Sequence, residues 1–274
     1  VVPVKDAYTP VGGWFVRGGT ISTTHVDPFT NARYTWSIKE EPAYLDYTDE
    51  EICEGDGANL RYIDESLDNA MMRWYEGLAT DLCSVTTATN GYTCLFSLID
   101  ATGTIGGLAT TNVANWASTE NNSIGGSGAF ANTLRTAFRE TGKYKMLGKV
   151  DIIACSKTAY EEYEKSGLNL ATLTYSGGSM AKADIGISEF AYKGVPVIHE
   201  PHLDAAESTL NGVMLGINSR WLKICKKPGD IMKFGGWVDM LPANKAGRCG
   251  LFKAALANVM YARSPHFKLT GVTA

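Results

Sequence analysis

The stretch Leu60–Val85, LRYIDESLDNAMMRWYEGLATDLCSV, decides how the rest of the chain can be arranged. Its apolar side chains recur at helical spacing on one face, and most of its charged side chains fall elsewhere. The apolar face consists of Ile63, Leu67, Ala70, Met71, Trp74, Leu78 and Leu82. This stripe predicts an amphipathic helix that packs on a core along one side. Between Ile63 and Leu82 it would measure about 30 Å at 1.5 Å per residue, and it would be the longest helix of the chain.

The composition is typical of one large or two modest globular domains. The chain has 274 residues, and 45% of them are hydrophobic, so it can bury a substantial core. There is no run of 18 apolar residues and no charged-then-apolar leader, so we expect neither a membrane-spanning helix nor a secretory signal. The six cysteines have no C-x-x-C spacing and are interpreted as reduced, mostly buried thiols.

The charge is modest overall and unevenly distributed along the chain. A net charge of −4 argues against a dedicated nucleic-acid binder. Glu40–Asp56 contains eight acidic and no basic residues, whereas Arg220–Lys268 contains ten basic residues against Asp230 and Asp239. These segments are either two solvated faces, or the acidic segment of one subunit meets the basic segment of another.

The residues before the long helix predict an extended arm, a hairpin and a linker. Val1–Val16 is rich in Pro and Gly and predicts an extended arm. Thr20–His25 and Arg33–Lys39 are β-prone and flank the turn-forming Val26–Asn31, and the acidic Glu40–Gly57 predicts a linker. One face of the second strand carries Tyr34, Trp36 and Ile38. A two-stranded ribbon is marginal alone, so this face needs a partner in its own domain or on a neighbouring subunit.

The residues after the long helix predict an α/β unit. Short strands and loops are expected over Thr86–Asn122, including a strand at Cys94–Ile99. A helix is expected from Ser127 to Gly142, with Phe130, Leu134, Ala137 and Phe138 as its buried stripe. A buried strand at Val150–Cys155 precedes a helix that Ser156 caps and Gly167 ends. These elements make Thr86–Cys225 a unit of its own.

The last third of the chain predicts mainly strands. The expected strands are Phe190–Tyr192, Val195–His199, Val213–Ile217, Trp221–Cys225 and Leu251–Ala262. Pro196 favours an edge position for its strand because proline lacks a backbone N–H. With a long helix on a sheet, a hairpin before it and a mixed domain after it, the fold class we predict is α+β.

The sequence contains no convincing catalytic, cofactor or metal motif. Gly126–Ala131 matches a dinucleotide fingerprint, but polar residues precede it where a buried strand is needed, so we interpret it as a loop and a helix cap. His199–His202 brings two imidazoles and a carboxylate together, but Pro201 prevents the helical ligand face of zincins. The acidic triplet Asp49, Glu50 and Glu51 is interpreted as solvated.

Several short stretches of the sequence, together with the order of the predicted elements, resemble those of a known protein family. The stretches are Ile105–Thr111 followed by Trp116, Val150–Ser156, the Lys-Gly-Val-Pro-Val strand within Phe190–Val197, and the Arg-x-Pro ending within Arg263–Gly271. With an arm, a hairpin, a long helix and an α/β domain, the chain resembles the major capsid proteins of tailed bacteriophages, which have the Hong-Kong-97-type fold. The resemblance spans nearly the whole chain.

The resemblance implies a division into capsid-type regions. They are an N-terminal arm (1–16), an extended hairpin loop and linker (17–58), a peripheral domain with the long or spine helix (59–85), an axial domain (86–225) and a strand-rich return to the peripheral domain (226–274).

The resemblance also implies a function without catalysis, cofactor or metal. It predicts a structural subunit of an icosahedral virion shell, assembled in the host cytoplasm from pentamers and hexamers that enclose double-stranded DNA. Its partners would be further copies of itself, scaffolding, portal and decoration proteins, and packaged DNA bound non-specifically, with no membrane. The candidate contacts between subunits are Arg33, Tyr34, Trp36, Ile38, Lys39, Asp49, Glu50 and Glu51.

Two other functions stay open at this point. One is an encapsulin-type compartment shell, which would enclose a cargo enzyme instead of DNA. The other is a cytosolic α/β enzyme or ligand-binding protein built around Gly125–Gly142. If the ribbon serves only assembly, deletion of Ser22–Ser37 should leave a folded subunit that assembles poorly.

Overall fold

The computed structural model describes residues 1–5, 29–52, 56–89, 91–110, 113, 116–124, 127–143, 147–174, 190–229, 232–241 and 245–273. Its contacts divide the chain into two compact units, each built from segments that are distant in sequence. Unit 1 comprises Val1–Tyr34, Phe96–Lys223 and Val259–Ala274, and unit 2 comprises Thr35–Leu95 and Ile224–Asn258.

The described residues form a mixture of helices and strands, which confirms the predicted α+β class. The strands are β1 (Val2–Lys5), β2 (Phe29–Ala32), β3 (Ser37–Asp46), β4 (Thr104–Ile105), β5 (Leu108–Ala109), β6 (Thr119–Asn121), β7 (Ile152–Cys155), β8 (Phe190–Tyr192), β9 (Val195–His199), β10 (Gly212–Ile217), β11 (Leu222–Lys226), β12 (Lys233–Asp239), β13 (Gly247–Met260) and β14 (Phe267–Val272). The helices are α1 (Tyr47–Ile52), α2 (Asp56–Cys83), α3 (Leu95–Leu98), α4 (Ser127–Thr141), α5 (Lys157–Thr174) and α6 (Glu207–Leu210), with a 3₁₀ helix at Pro201–Ala206.

In unit 2 the long helix α2 lies on one face of a sheet, as its apolar stripe predicts. It has 28 residues, which corresponds to about 42 Å, and it is the longest helix in the described part of the chain. Ala70 packs with Ala43 and Phe252, and Trp74 packs with Ala254. The prediction of this helix is therefore confirmed, although the helix begins four residues earlier than expected.

The sheet of unit 2 corrects the predicted linker. Strand β13 pairs antiparallel with β12 and with β3, whose register runs from Gly247 opposite Asp46 to Leu256 opposite Ser37. Residues 40–46 are thus strand and residues 47–52 are helix, where an acidic linker was expected. Buried Ala43 alternates with exposed neighbours, which is the period of two residues expected of a strand. The linker was predicted because the acidic composition of the segment was given more weight than this alternation. Pro42 is tolerated because the described strands leave one edge of β3 unpaired.

Unit 1 is built on a six-stranded mixed sheet. The strand order is β6–β14–β10–β7–β9–β8, in which the β14–β6 and β7–β9 pairs are parallel and the other pairs are antiparallel. Helix α4 contributes Phe130 and Phe138 to the core, and the sheet contributes Ile153, Met214 and Phe267. Every residue of β10 from Gly212 to Gly216 is buried, which makes it the centre of this core.

Both helices predicted for the α/β unit are present. Helix α4 begins at Ser127 and stops before Gly142, and its predicted stripe is buried. Helix α5 begins after Ser156 as expected but ends at Thr174, so the prediction that Gly167 ends it is wrong. A glycine inside a helix costs only about 1 kcal/mol, which the rest of the helix can offset.

Ser156 does not cap α5 with its side chain, which corrects a second detail. Its Oγ accepts the N–H of Val213 at 2.9 Å, and this bond ties β7 to β10. The first two N–H groups of α5 donate instead to the carboxylates of Asp204 and Glu207, each at 2.7 Å. Negative charge at a helix N-terminus is stabilising, so these two residues perform the predicted capping from a distant segment.

Strand β9 contains Pro196 and is not an edge strand, so that prediction is wrong. It lies between β7 and β8, and the chain turns from β8 to β9 through Lys193 and Gly194, both with positive φ. The register with β7 begins with Ile153 opposite Val197, one residue after the proline. The parallel ladder therefore does not need the N–H that Pro196 lacks.

The N-terminal segments also differ from the predicted hairpin. Three of the four residues of strand β2 fall within the predicted turn, and the strand pairs antiparallel with β1 at the start of the arm. Val4 and Ala32 are buried in a cluster with Trp116, so the first residues of the arm pack within unit 1. The predicted strand Thr20–His25 lies outside the described residues.

The end of the chain belongs with unit 1 and not with unit 2. Strand β14 lies between β6 and β10 in the six-stranded sheet, and Val259–Ala274 is assigned to unit 1. A single strand-rich return over 226–274, as predicted, is therefore divided at Asn258. The expected strand at Cys94–Ile99 is the short helix α3, which is wrong in type although its apolar residues are buried.

The composition led to expectations about the cysteine thiols and about membrane-spanning helices. Cys83, Cys94 and Cys155 are buried, Cys225 and Cys249 are half-buried, and none of these five described cysteines forms a disulfide, in line with the interpretation as reduced thiols. Within the described ranges, no helix is both long and apolar enough to cross a membrane.

Candidate inter-subunit surfaces

Two of the candidate contact residues, Arg33 and Tyr34, lie in unit 1. The backbone N–H of Arg33 donates to Gly106 O at 2.8 Å, while its side chain is exposed. The Tyr34 hydroxyl donates to Met260 O at 2.7 Å, and burial raises the pKa of this phenol to about 12. Tyr34 thus belongs largely to the core of its own chain, and Arg33 offers an exposed cation.

Trp36 and Ile38 are the exposed part of the predicted aromatic face. Their side chains are 53% and 65% exposed, which is unusual for large apolar residues. Ser37 and Lys39 point to the other side of the strand. The Ser37 hydroxyl donates to Gly91 O at 2.7 Å, and Lys39 Nζ lies 2.7 Å from Asp81 Oδ2 of α2. The strand therefore anchors its polar side within unit 2 and presents its apolar side outward.

The side chain of Lys39, another candidate contact residue, passes over Gly77 of helix α2. A Cβ at Gly77 would come within 2.9 Å of Lys39 Nζ, so the helix has no side chain where the lysine passes. This cation has a partner in its own chain, and its role as an inter-subunit contact stays a prediction.

The acidic candidates lie in or beside α1. Asp46 accepts the N–H and the hydroxyl of Thr48 at 2.8 and 2.7 Å, in the manner of an N-cap, and these hydrogen bonds lower the pKa of Asp46. Asp49 is exposed and accepts the Tyr62 hydroxyl at 2.7 Å. The side chains of Glu50 and Glu51 lie outside the described residues, so their contribution to a contact stays a prediction.

The His199–His202 loop is part of the support of α5. His199 Nε2 lies 3.1 Å from Asp204 Oδ1, the same carboxylate that caps the helix, and His202 Nδ1 lies 2.5 Å from Glu200 Oε1. Among the described residues no group of three or more His, Cys, Asp or Glu side chains is arranged to hold a metal ion.

The fingerprint-like segment Gly126–Ala131 begins outside the described residues and continues into α4. Short strands and loops were expected over Thr86–Asn122, and Thr119–Asn121 form the edge strand β6. This strand has three residues, and none of them is fully buried, so it does not supply the buried strand that the motif needs.

A buried polar cluster in unit 1 escaped the sequence reasoning. Arg263 is fully buried, and its guanidinium donates to the carbonyls of Asp100, of Trp116 at 3.0 Å and of Thr102 at 3.1 Å. In the other direction, the Ser118 hydroxyl donates to Arg263 O at 3.0 Å. The cluster ties the 100–118 segment to the end of the chain, which only the Arg-x-Pro resemblance had singled out.

Two further ionisable residues of the same terminal segment are buried. Lys268 Nζ lies 2.9 Å from Glu120 Oε1, which joins β14 to the edge strand β6. His266 Nδ1 accepts the N–H of Asn218 at 3.2 Å, and burial lowers the pKa of this imidazole to about 4. Sequence alone could not place them, because their partners are between 48 and 148 positions away.

No protein-family model and no curated protein matches the sequence. Solved structures do match the fold, at low sequence identity. A chain of the cyanophage A-1(L) capsid asymmetric unit is 13% identical with a TM-score of 0.59, and the match covers 99% of this chain and 87% of that one. A chain of Mycobacterium phage Che8 is 11% identical with a TM-score of 0.58, covering 98% and 83% respectively.

A compartment shell protein has a similar structure too. The chain of the holo-SrpI encapsulin complex from Synechococcus elongatus PCC 7942 is 11% identical with a TM-score of 0.55, and the match covers 89% of this chain and 77% of that one. Together these matches show that the chain has the Hong-Kong-97-type major capsid fold, which confirms the resemblance found in the sequence. It is similar to shell-forming subunits of both classes.

Proposed function

We propose that this protein is a structural subunit of an icosahedral virion shell, which self-assembles into pentamers and hexamers around double-stranded DNA. The observation that supports this most strongly is the fold match over 98–99% of the chain to tailed-phage structures. The exposed Trp36 and Ile38 also favour it, because large apolar side chains on an otherwise anchored strand need a covering surface.

The proposal extends to the partners of the shell. Unit 1 and unit 2 would serve as the axial and peripheral domains, and Trp36, Ile38 and Asp49 would meet a neighbouring subunit. Scaffolding, portal and decoration proteins are the further partners expected of such a shell, which would assemble in the host cytoplasm. No cofactor, metal or catalytic step is part of the proposal, and packaged DNA would be contacted without sequence preference.

An encapsulin-type compartment shell is the second candidate, and the match to the SrpI encapsulin complex supports it. The two functions differ in what the shell encloses. Recombinant protein purified as particles should carry nuclease-protected nucleic acid only when co-expressed with the packaging components of a phage, whereas a compartment shell would copurify with a defined cargo enzyme. The third alternative, an α/β enzyme around Gly125–Gly142, predicts a soluble monomer with a bound small molecule.

The experiment that tests assembly uses the wild-type chain and a paired substitution, Trp36→Ser with Ile38→Ser. Deletion of Ser22–Ser37 is no longer a clean test, because it removes β2 and the buried Ala32 and Tyr34. We expect wild type to form particles in sedimentation velocity and electron microscopy, and the paired variant to remain folded but largely unassembled. A wild-type protein that stays monomeric with scaffold and portal present would contradict the proposal.

A further inference from the structure

The sheet of unit 2 has two different faces. Phe252 and Ala254 of β13 point toward α2, so by the alternation of strands Leu251 and Lys253 point the opposite way. The registers with β3 and β12 place Ile38 and Tyr44 of β3, and Lys233 and Val238 of β12, on that same opposite side. We call it the open sheet face and define it by Ile38, Tyr44, Lys233, Val238, Leu251 and Lys253.

The open sheet face is apolar and cationic. Ile38 and Val238 are each 65% exposed. Lys253 lies directly opposite Lys233 on one side and Glu40 on the other, so two cations face one carboxylate across three strands. Like charges in direct cross-strand register are destabilising, and an anionic surface placed on this face would relieve the repulsion.

A cavity lies at the Ile38 end of this face. It has a volume of about 190 Å³ and is lined by Ile38, Lys227, Lys253, Ala254 and Ala255. Its walls are mostly apolar, and the two lysines bring positive charge to it. The chemistry fits an apolar side chain that is flanked by carboxylates.

The outward face of α2 has that chemistry. Asp64, Glu65 and Asp68 are exposed there, and the described part of the chain offers none of the three an ion-pair partner within 4.0 Å. On the same face, Met72 is 71% exposed and Tyr75 is 59% exposed. Positions 64, 68, 72 and 75 are spaced by four, four and three residues, so acidic and apolar side chains form one continuous strip.

We propose that the acidic strip of α2 in one copy docks on the open sheet face of the next copy. The occupant is a second copy of this chain because the two surfaces are complementary in charge, and both carry large exposed apolar side chains. Their lengths also agree: Asp64 to Tyr75 spans about 16 Å along a helix, and Ile38 to Tyr44 spans about 20 Å along a strand.

The geometry of the contact follows from its position in unit 2. The strip lies on exposed positions of α2, and the open sheet face is the side of the sheet turned away from α2, so the contact joins two different surfaces. Contacts of this head-to-tail kind repeat and close into rings when the rotation allows it. The inference rests on the proposed shell function and names the surfaces that would carry the ring contacts of unit 2.

The test reverses the charge of one face at a time in the full chain. The first variant combines Lys233→Glu with Lys253→Glu, the second combines Asp64→Lys with Asp68→Lys, and the third carries all four changes. Assembly is followed by sedimentation velocity over a concentration series, and folding by thermal unfolding. The matched control, Arg135→Glu with Arg139→Glu, makes the same charge change as the first variant on the exposed side of α4 in unit 1.

We expect each two-residue variant to need at least about tenfold more protein for half-assembly, because it sets like charges against each other. The four-residue variant should return to within about threefold of wild type, since the reversed charges attract again, and the control should assemble like wild type. If a reversed variant fails to unfold cooperatively, the corresponding change to Gln or Asn makes the same comparison at a smaller charge change.

Other outcomes would overturn the inference in distinguishable ways. If wild type and both reversed variants assemble alike, or if the four-residue variant is not rescued, the surfaces do not meet and the shell function stands. If the lysine variant assembles normally but retains less DNA in its particles, the open sheet face binds a polyanion instead. If wild type itself never assembles, the proposed shell function fails, and this contact fails with it.

Discussion

The two units of this protein handle charged and apolar side chains in opposite ways. Unit 1 buries ionisable groups, and its Arg263, His266 and Lys268 are all buried and have partners in the same unit. Unit 2 contains one sheet, the long helix α2 and the short helix α1, and it exposes large apolar residues such as Ile38 on the sheet and Met72 on α2.

The difference lies in which side chains each unit buries and which it leaves exposed. In unit 2 the helix α2 packs on one face of the sheet, and Ile38 and Val238 on the other face are each 65% exposed. In unit 1 the buried Arg263 donates to backbone carbonyls, and Lys268 pairs with the carboxylate of Glu120. Burying a charge without partners is costly, and the hydrogen bonds of Arg263 and the ion pair of Lys268 offset part of that cost. Arg263 Nε, Ser264 Oγ and His266 Nε2 nevertheless have no hydrogen-bond partner among the described residues. Unit 2 exposes apolar surface that a neighbour would cover.

The largest expected effect concerns the interface inside unit 2. Trp74→Ala should lower the free energy of unfolding by about 3–5 kcal/mol, because it removes a buried indole from between α2 and β13. The matched control is the adjacent Tyr75→Ala, whose side chain is 59% exposed and should change stability by less than about 1 kcal/mol. Equal effects in denaturant titrations of both variants would show that the helix is oriented differently.

A second effect concerns the buried charge of unit 1. Arg263→Met should cost about 3 kcal/mol, because it leaves the carbonyls of Asp100, Thr102 and Trp116 without their donor. Arg135→Met, at an exposed position of α4, is the control and should stay within about 0.5 kcal/mol of wild type. Urea unfolding measures both variants, and a neutral Arg263 variant would mean that water or another group satisfies these carbonyls.

The third effect is a pH dependence of unit 1 from His266. Its pKa is lowered from 6.5 to about 4, mainly by burial, although the charge of Asp151 acts in the opposite direction. The unfolded chain therefore binds the proton first, and stability should fall as the pH drops from 6.5 to 4 and level off below that. The total loss is about 3 kcal/mol, and above pH 6.5 this residue contributes no pH dependence.

This pH dependence is measured as a difference between two proteins. The unfolding free energy of wild type minus that of His266→Gln, taken at intervals from pH 7.5 to 4, removes the contribution of the other titrating groups. A difference that does not change over this range would show that the imidazole titrates normally in the folded state.

The smallest effect tests how Lys39 crosses α2. Gly77→Ala gains about 1 kcal/mol of helix propensity but must displace Lys39 Nζ, so the net change in stability should be close to zero. In a Lys39→Met background the same change should be stabilising by up to about 1 kcal/mol. A double-mutant cycle measures the coupling, and additive effects would mean that the lysine does not contact the glycine.

The elements with strong periodicity were predictable from the sequence. The apolar stripes of α2 and α4 each predicted a buried helix face. The resemblance to capsid proteins predicted the fold that the structural matches show. Strand β3 was missed because acidic residues and Pro42 suggested a linker, although Ala43 and Leu45 alternate as in a strand. Local composition described the exposed side of that strand and not its pairing.

The remaining errors arise from contacts between residues that are distant in sequence. Asp204 and Glu207 cap α5 across about 50 positions, and Arg263 reaches Trp116 across 147. Strand β2 pairs with β1 and not with the strand that follows it. Periodicity carries no information on such pairings, so neither the caps nor the buried cluster was foreseeable from the residues themselves.

A cryo-electron microscopy reconstruction of the purified wild-type protein, expressed with the scaffolding and portal proteins that the proposal expects, tests the proposed shell function most directly. We expect closed particles built from rings of five and six copies, in which Trp36 and Ile38 of each copy are covered by a neighbour. Particles that leave these residues open to solvent, or a protein that stays monomeric at all concentrations, would contradict it.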